Sequence, residues 1–61
     1  MKFIELTLAN SSQPDTKVQV NVFNILTIAP VGLGSNVMSP TGYFISVKET
    51  PAQILALINP A

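Results

Sequence analysis

The chain has 61 residues, enough for one domain, and a domain of that size buries only about 60% of its unfolded surface, so its core is marginal if it stands alone. Charged residues make up 10% of it against roughly 25% in an ordinary soluble domain, and the three basic and three acidic side chains cancel. Without histidine or cysteine the common zinc sites and disulfides are excluded, and without clustered Lys/Arg there is no electrostatic footprint for a phosphate backbone, so nucleic-acid binding is not expected.

Met1-Lys2-Phe3-Ile4 opens like a secretory leader, but Glu5 interrupts the apolar run, and no stretch approaches the ~18 apolar residues of a membrane span. A cytoplasmic protein with no membrane segment is therefore expected, and Asn10-Ser11-Ser12 reads as a chance match to the glycosylation pattern. Phe3 to Leu8 alternates with period two, which predicts a half-buried strand with Ile4, Leu6 and Leu8 inward and Phe3, Glu5 and Thr7 outward. Asn10 to Thr16 is polar, rich in turn formers and predicted to be an exposed, mobile loop. Lys17 to Val22 is the clearest alternation, a second strand with Val18, Val20 and Val22 inward. Phe23-Asn24 breaks that pattern, as a tight bend or one helical turn would.

A third strand is predicted at Ile25–Ala29, ended by Pro30 and followed by a flexible Val31-Gly32-Leu33-Gly34 connection. The glycine pair there lacks the third glycine, the lysine and the strand-to-helix context of a phosphate loop, so it reads as an ordinary turn. Ser35–Met38 is a fourth strand, joined through the type I turn Ser39-Pro40-Thr41-Gly42 to a fifth at Tyr43–Lys48. Thr50-Pro51-Ala52-Gln53 carries an N-cap, a first-turn proline and a capping-box glutamine. A short helix follows, with Pro51, Ile54, Leu55 and Ile58 forming one stripe and Asn59-Pro60 closing it. The fold class is thus mainly β (α+β): residues 1–61 form a single domain, a small antiparallel sheet of about five short strands capped by one C-terminal helix.

Catalytic inventory is thin. The carboxylates Glu5, Asp15 and Glu49 are scattered, and Glu5 and Glu49, brought close only if the first strand neighbours the fifth, read as exposed ion pairs with Lys2 and Lys48. No serine, threonine or tyrosine has a base beside it in sequence. No catalytic, metal or cofactor site is assigned, and the chain is not expected to be an enzyme.

The composition points instead to binding. Phe3, Thr7, Phe23, Tyr43 and Phe44 cannot all pack beneath one short helix, and the strand Val18–Val22 has only Lys17 to guard it as an edge. Either the aromatics plug a barrel-like core or they form an interface; the candidate interaction surface is Phe3, Val20, Phe23, Tyr43 and Phe44.

The order of elements resembles the FlbD-type proteins encoded with flagellar genes and related short bacterial and phage proteins. The resemblance is carried by Phe3-Ile4-Glu5-Leu6-Thr7-Leu8, by Val20-Asn21-Val22-Phe23-Asn24-Ile25 and above all by Thr41-Gly42-Tyr43-Phe44-Ile45-Ser46-Val47-Lys48-Glu49-Thr50, with Thr50 standing where the family has serine. It implies a small β-rich, non-catalytic protein with a flagellar accessory role. The chain departs from the family pattern in its longer Asn10–Thr16 loop and its shorter, less charged helix.

The functional expectation is a non-enzymatic module that forms a homo-oligomer and binds a protein partner through a neutral sheet face or edge strand. The alternatives are an inhibitor of a host defence protein encoded by a phage or mobile element, an oligomer sequestering a small-molecule ligand between subunits, and the flagellar accessory role.

Overall fold

The computed structural model describes residues 2–10 and 12–60; Met1, Ser11 and Ala61, and with them part of the leader-like start and of the Asn10-Ser11-Ser12 match, lie outside the described residues. The chain is mainly β, with β1 (Phe3–Thr7), β2 (Lys17–Asn21), a single 3-10 turn (Val22–Asn24), β3 (Thr27–Val31), β4 (Gly34–Met38), β5 (Phe44–Val47) and the helix α1 (Pro51–Ile58). All strand pairings are antiparallel, and the strands divide into a two-stranded sheet, β1–β2, and a three-stranded sheet ordered β3-β4-β5.

The two sheets meet where the end of β1 crosses β5. Leu8 bridges Val47, the Ala9 N–H donates to the Ser46 carbonyl (2.9 Å) and the Lys48 N–H donates to the Thr7 carbonyl (2.8 Å). Pairing stops there for a local reason at each end: beyond Lys48 the chain turns into α1, and beyond Asn10 it enters the loop. Around this junction Ile4, Leu6, Val37, Val47 and Ile54 form the core, with Val18, Val20, Ile28, Ile45 and Ile58 packed against it. No aromatic side chain is in that core, so the aromatics do not plug a barrel.

The helix begins as its sequence demands. Thr50 Oγ1 accepts from the Gln53 N–H (3.2 Å), Gln53 Oε1 accepts from the Thr50 N–H (2.9 Å), and Pro51 occupies the first helical position. Ile54 is fully buried, whereas Leu55, expected on the same stripe, is 52% exposed because eight residues put only one clean face on the core.

Pro30 does not end β3. It lies inside the strand opposite Ser35, and Val31 to Gly34 is a two-residue hairpin rather than a flexible connection. Gly32, at the first central position, has φ of +57°, which suits a II′ turn and needs no side chain. In such a hairpin the closing pair is hydrogen-bonded, so alternation leaves Pro30 with its ring nitrogen on the outer edge, the one place a strand tolerates it. The strand accordingly runs two residues later than Ile25–Ala29. Gly34 is demanded by proximity instead: a Cβ there would lie 2.1 Å from the Val47 carbonyl oxygen.

Candidate interaction cleft

Four of the five residues singled out from sequence converge. Phe3, Val20, Tyr43 and Phe44 line one open cleft of about 460 Å³, with Gln19, Asn21 and Asn24 on the β2 side and Val37, Ser39, Thr41 and Ile45 on the β4–β5 side. Phe3 is 52% exposed, Phe44 57% and Tyr43 81%. Phe23, 78% exposed on the 3-10 turn, lies outside the lining although its neighbour Asn24 belongs to it.

The elements that hold these side chains are locally determined. Asn21 caps the 3-10 turn by accepting the Phe23 N–H on Oδ1 (3.0 Å), which ends β2 and turns Phe23 outward. On the other wall the Gly42 N–H donates to the Ser39 carbonyl (3.0 Å) and the Ser39 N–H to the Tyr43 carbonyl (2.8 Å). Gly42 has φ of +94°, giving a type I turn followed by a glycine bulge, and this holds Tyr43 just ahead of β5 rather than within it. Among the described residues no charged side chain lines the cleft.

A second hollow, about 510 Å³, lies between the Val31–Gly34 hairpin and the β1–β5 junction, where Leu33 and Val31 are exposed and Lys48 stands at the rim. Outward-facing positions of the three-stranded sheet (Thr27, Ala29, Val31, Asn36, Met38, Phe44, Ser46) carry no charge, and Ser46 Oγ donates to Asn36 Oδ1 across it (2.6 Å).

The charged groups are arranged differently from the two expected ion pairs. Glu5 accepts from Gln19 Nε2 (3.1 Å), Lys2 donates to the Ile58 carbonyl, and Lys48 pairs with Asp15 (3.7 Å). Glu49 reaches across the junction to Thr7, which is buried despite its place on the outward set of β1. The Thr7 N–H donates to Glu49 Oε1 (2.9 Å) and Oε2 (3.1 Å), its hydroxyl donates to Oε2 (2.9 Å), and Lys17 Nζ donates to Thr7 Oγ1 (2.7 Å). Buried Ser35 closes the group by donating to the Glu49 carbonyl (2.7 Å). Burial pushes the Glu49 pKa up, but donation from the Thr7 N–H and hydroxyl, from its own N–H, and the attraction of Lys17 outweigh it, so the carboxyl sits below its ordinary value. A carboxylate held charged and occupied by these donors is a structural acceptor, poorly matched to proton transfer at neutral pH.

Local sequence pattern does not encode this latch, because it joins Thr7 to a residue 42 positions away. The facing Thr7–Lys17 pair was its one readable trace. Among the described residues no cluster of acidic side chains could hold a metal ion, and no helix is long and apolar enough to cross a membrane. Fold and site together define a small β-rich protein with an uncharged, aromatic-walled cleft. Comparison of the chain with protein-family models, with curated proteins and with solved structures finds no match in any of the three.

Proposed function

We propose that the chain is a non-enzymatic protein-interaction module that self-associates through its uncharged cleft and the strand edge beside it, and takes a protein partner on the neutral face of its three-stranded sheet. One observation carries this reading: Phe3, Tyr43 and Phe44, each more than half exposed, gather at one cleft with no charged side chain among the described residues that line it. Aromatic side chains are enriched at interface cores and charged ones depleted there. Light scattering across a dilution series from about 1 to 500 μM, spanning weak to moderate affinities, tests it. A mass above one chain that falls on dilution is the expected result; a monomer throughout contradicts self-association.

The cleft also supports a second reading, a small-molecule ligand held there, since its volume falls in the range of ligand sites, about 300–1,000 Å³. An oligomer that sequesters such a ligand, or an inhibitor of a host protein, would use the same surface. The FlbD-type resemblance rests on β1, on the end of β2 with its bend, and above all on the turn, β5 and the helix cap, and it favours a flagellar accessory role if the gene lies among flagellar genes. Neighbours of phage or mobile-element type favour the inhibitor.

A further inference from the structure

We infer that β2 is the seam of a two-fold dimer, pairing antiparallel with β2 of a second copy about an axis through Gln19; this rests on the self-association proposed above and names its surface. Among the described residues β2 has a strand partner on one side only. Bonds from the Leu8 N–H to the Thr16 carbonyl (2.8 Å) and from the Val22 N–H to the Lys2 carbonyl (2.9 Å) bracket the β1–β2 ladder. An antiparallel ladder alternates, so Val18 and Val20 turn their backbone groups to β1 while Lys17, Gln19 and Asn21 turn theirs outward. Thr7, opposite Lys17, follows the same alternation on the far side of β1, where its N–H and carbonyl serve Glu49 and Lys48.

The remaining edges are less open. The outer edge of β3 carries Pro30, and the facing edges of β1 and β5 join each other at Leu8–Val47. Lys17, the one charge on β2, is turned back onto Thr7 Oγ1 and does not guard the strand.

What the edge fits is set by its symmetry. With the axis at Gln19, Gln19 meets Gln19 of the second copy, Lys17 meets Asn21 at either end, and all three outward residues form hydrogen-bonded pairs. A slip of two residues in either direction loses one of those pairs. The two Lys17 side chains stand at opposite ends of the seam, so like charges are kept apart. Val18 and Val20, half-buried in one chain, come opposite one another on the core-facing side. The cleft is the room for the second strand: it touches Gln19, Val20 and Asn21, successive residues on both faces, so it lies against the edge itself, with Tyr43 and Phe44 as its far wall.

The chain has no cysteine, so a single introduced cysteine can cross-link only to its own copy. In a hydrogen-bonded antiparallel pair the Cα atoms lie ~5.5 Å apart, inside the ~4.4–6.8 Å a disulfide spans, whereas Asn21 and its copy would be about 13 Å apart along the strands. Mild oxidation of Gln19→Cys is expected to give at least about ten-fold more covalent dimer than Asn21→Cys or the off-seam Ala52→Cys, an exposed position on α1 outside the cleft. Wild-type chain in light scattering should show twice the 6.5 kDa of one chain. Amide exchange on the wild type covers a variant that fails to fold: the Gln19 N–H is protected in the dimer, and rapid exchange there overturns the seam. A dimer whose three cysteine variants cross-link equally overturns the seam and leaves self-association standing; a monomer at every concentration overturns both.

Discussion

Glu49 shows how one side chain joins two sheets that share little ladder. Its carboxylate takes the Thr7 N–H and hydroxyl in place of backbone partners that β5 lacks once the chain turns into α1. Its pKa lies lower folded than unfolded, so it contributes stability above the unfolded value of about 4.3, and that contribution is lost as pH falls through the folded value. Glu49→Gln should therefore destabilise by about 1–2 kcal/mol near neutral pH and flatten the acid limb of stability below about pH 4.5, as measured by urea titrations between pH 2.5 and 7. An acid limb identical to wild type would contradict the latch. Gly34 is fixed by a backbone carbonyl rather than by φ: Gly34→Ala must move Val47 and should cost about 3 kcal/mol in the same titrations. Gly32→Ala meets open space and is strained only by its positive φ, so it should cost about 1–2 kcal/mol.

Among the elements, α1 is the most self-contained. Thr50→Ala removes the Gln53 N–H acceptor and should lower stability by about 1 kcal/mol, a shift in melting temperature of several degrees for a chain this short. An unchanged melt would argue against the cap. Helix start, β2 and the Ser39–Gly42 turn were legible in sequence because their determinants lie within four or five residues of one another. The end of β3 was not: proline stops a strand only when its nitrogen faces a ladder, and which way Pro30 faces is set by the hairpin beyond it. The division into two sheets, the burial of Thr7 and the rerouted ion pairs all follow from the β1–β5 crossing, a contact some 40 residues long in sequence that no local pattern encodes. Of the site, the aromatics were legible as too many for the core. That Phe23 would stand apart from the rest depended on how Asn21 caps the turn.

At the scale of the molecule, five fully or nearly buried apolar side chains among the described residues form a small core, while nine large hydrophobics among them stay exposed. No disulfide supplements it, and such small folds usually rely on a staple or on assembly. The decisive property is therefore whether the chain stands alone. Light scattering after size exclusion at about 100 μM, well above a micromolar dissociation constant, decides it most directly. The structure's uncharged cleft and free β2 edge predict twice the mass of one chain, 6.5 kDa each, falling toward one on dilution. A single sharp monomer at that concentration, folded by circular dichroism, would contradict it.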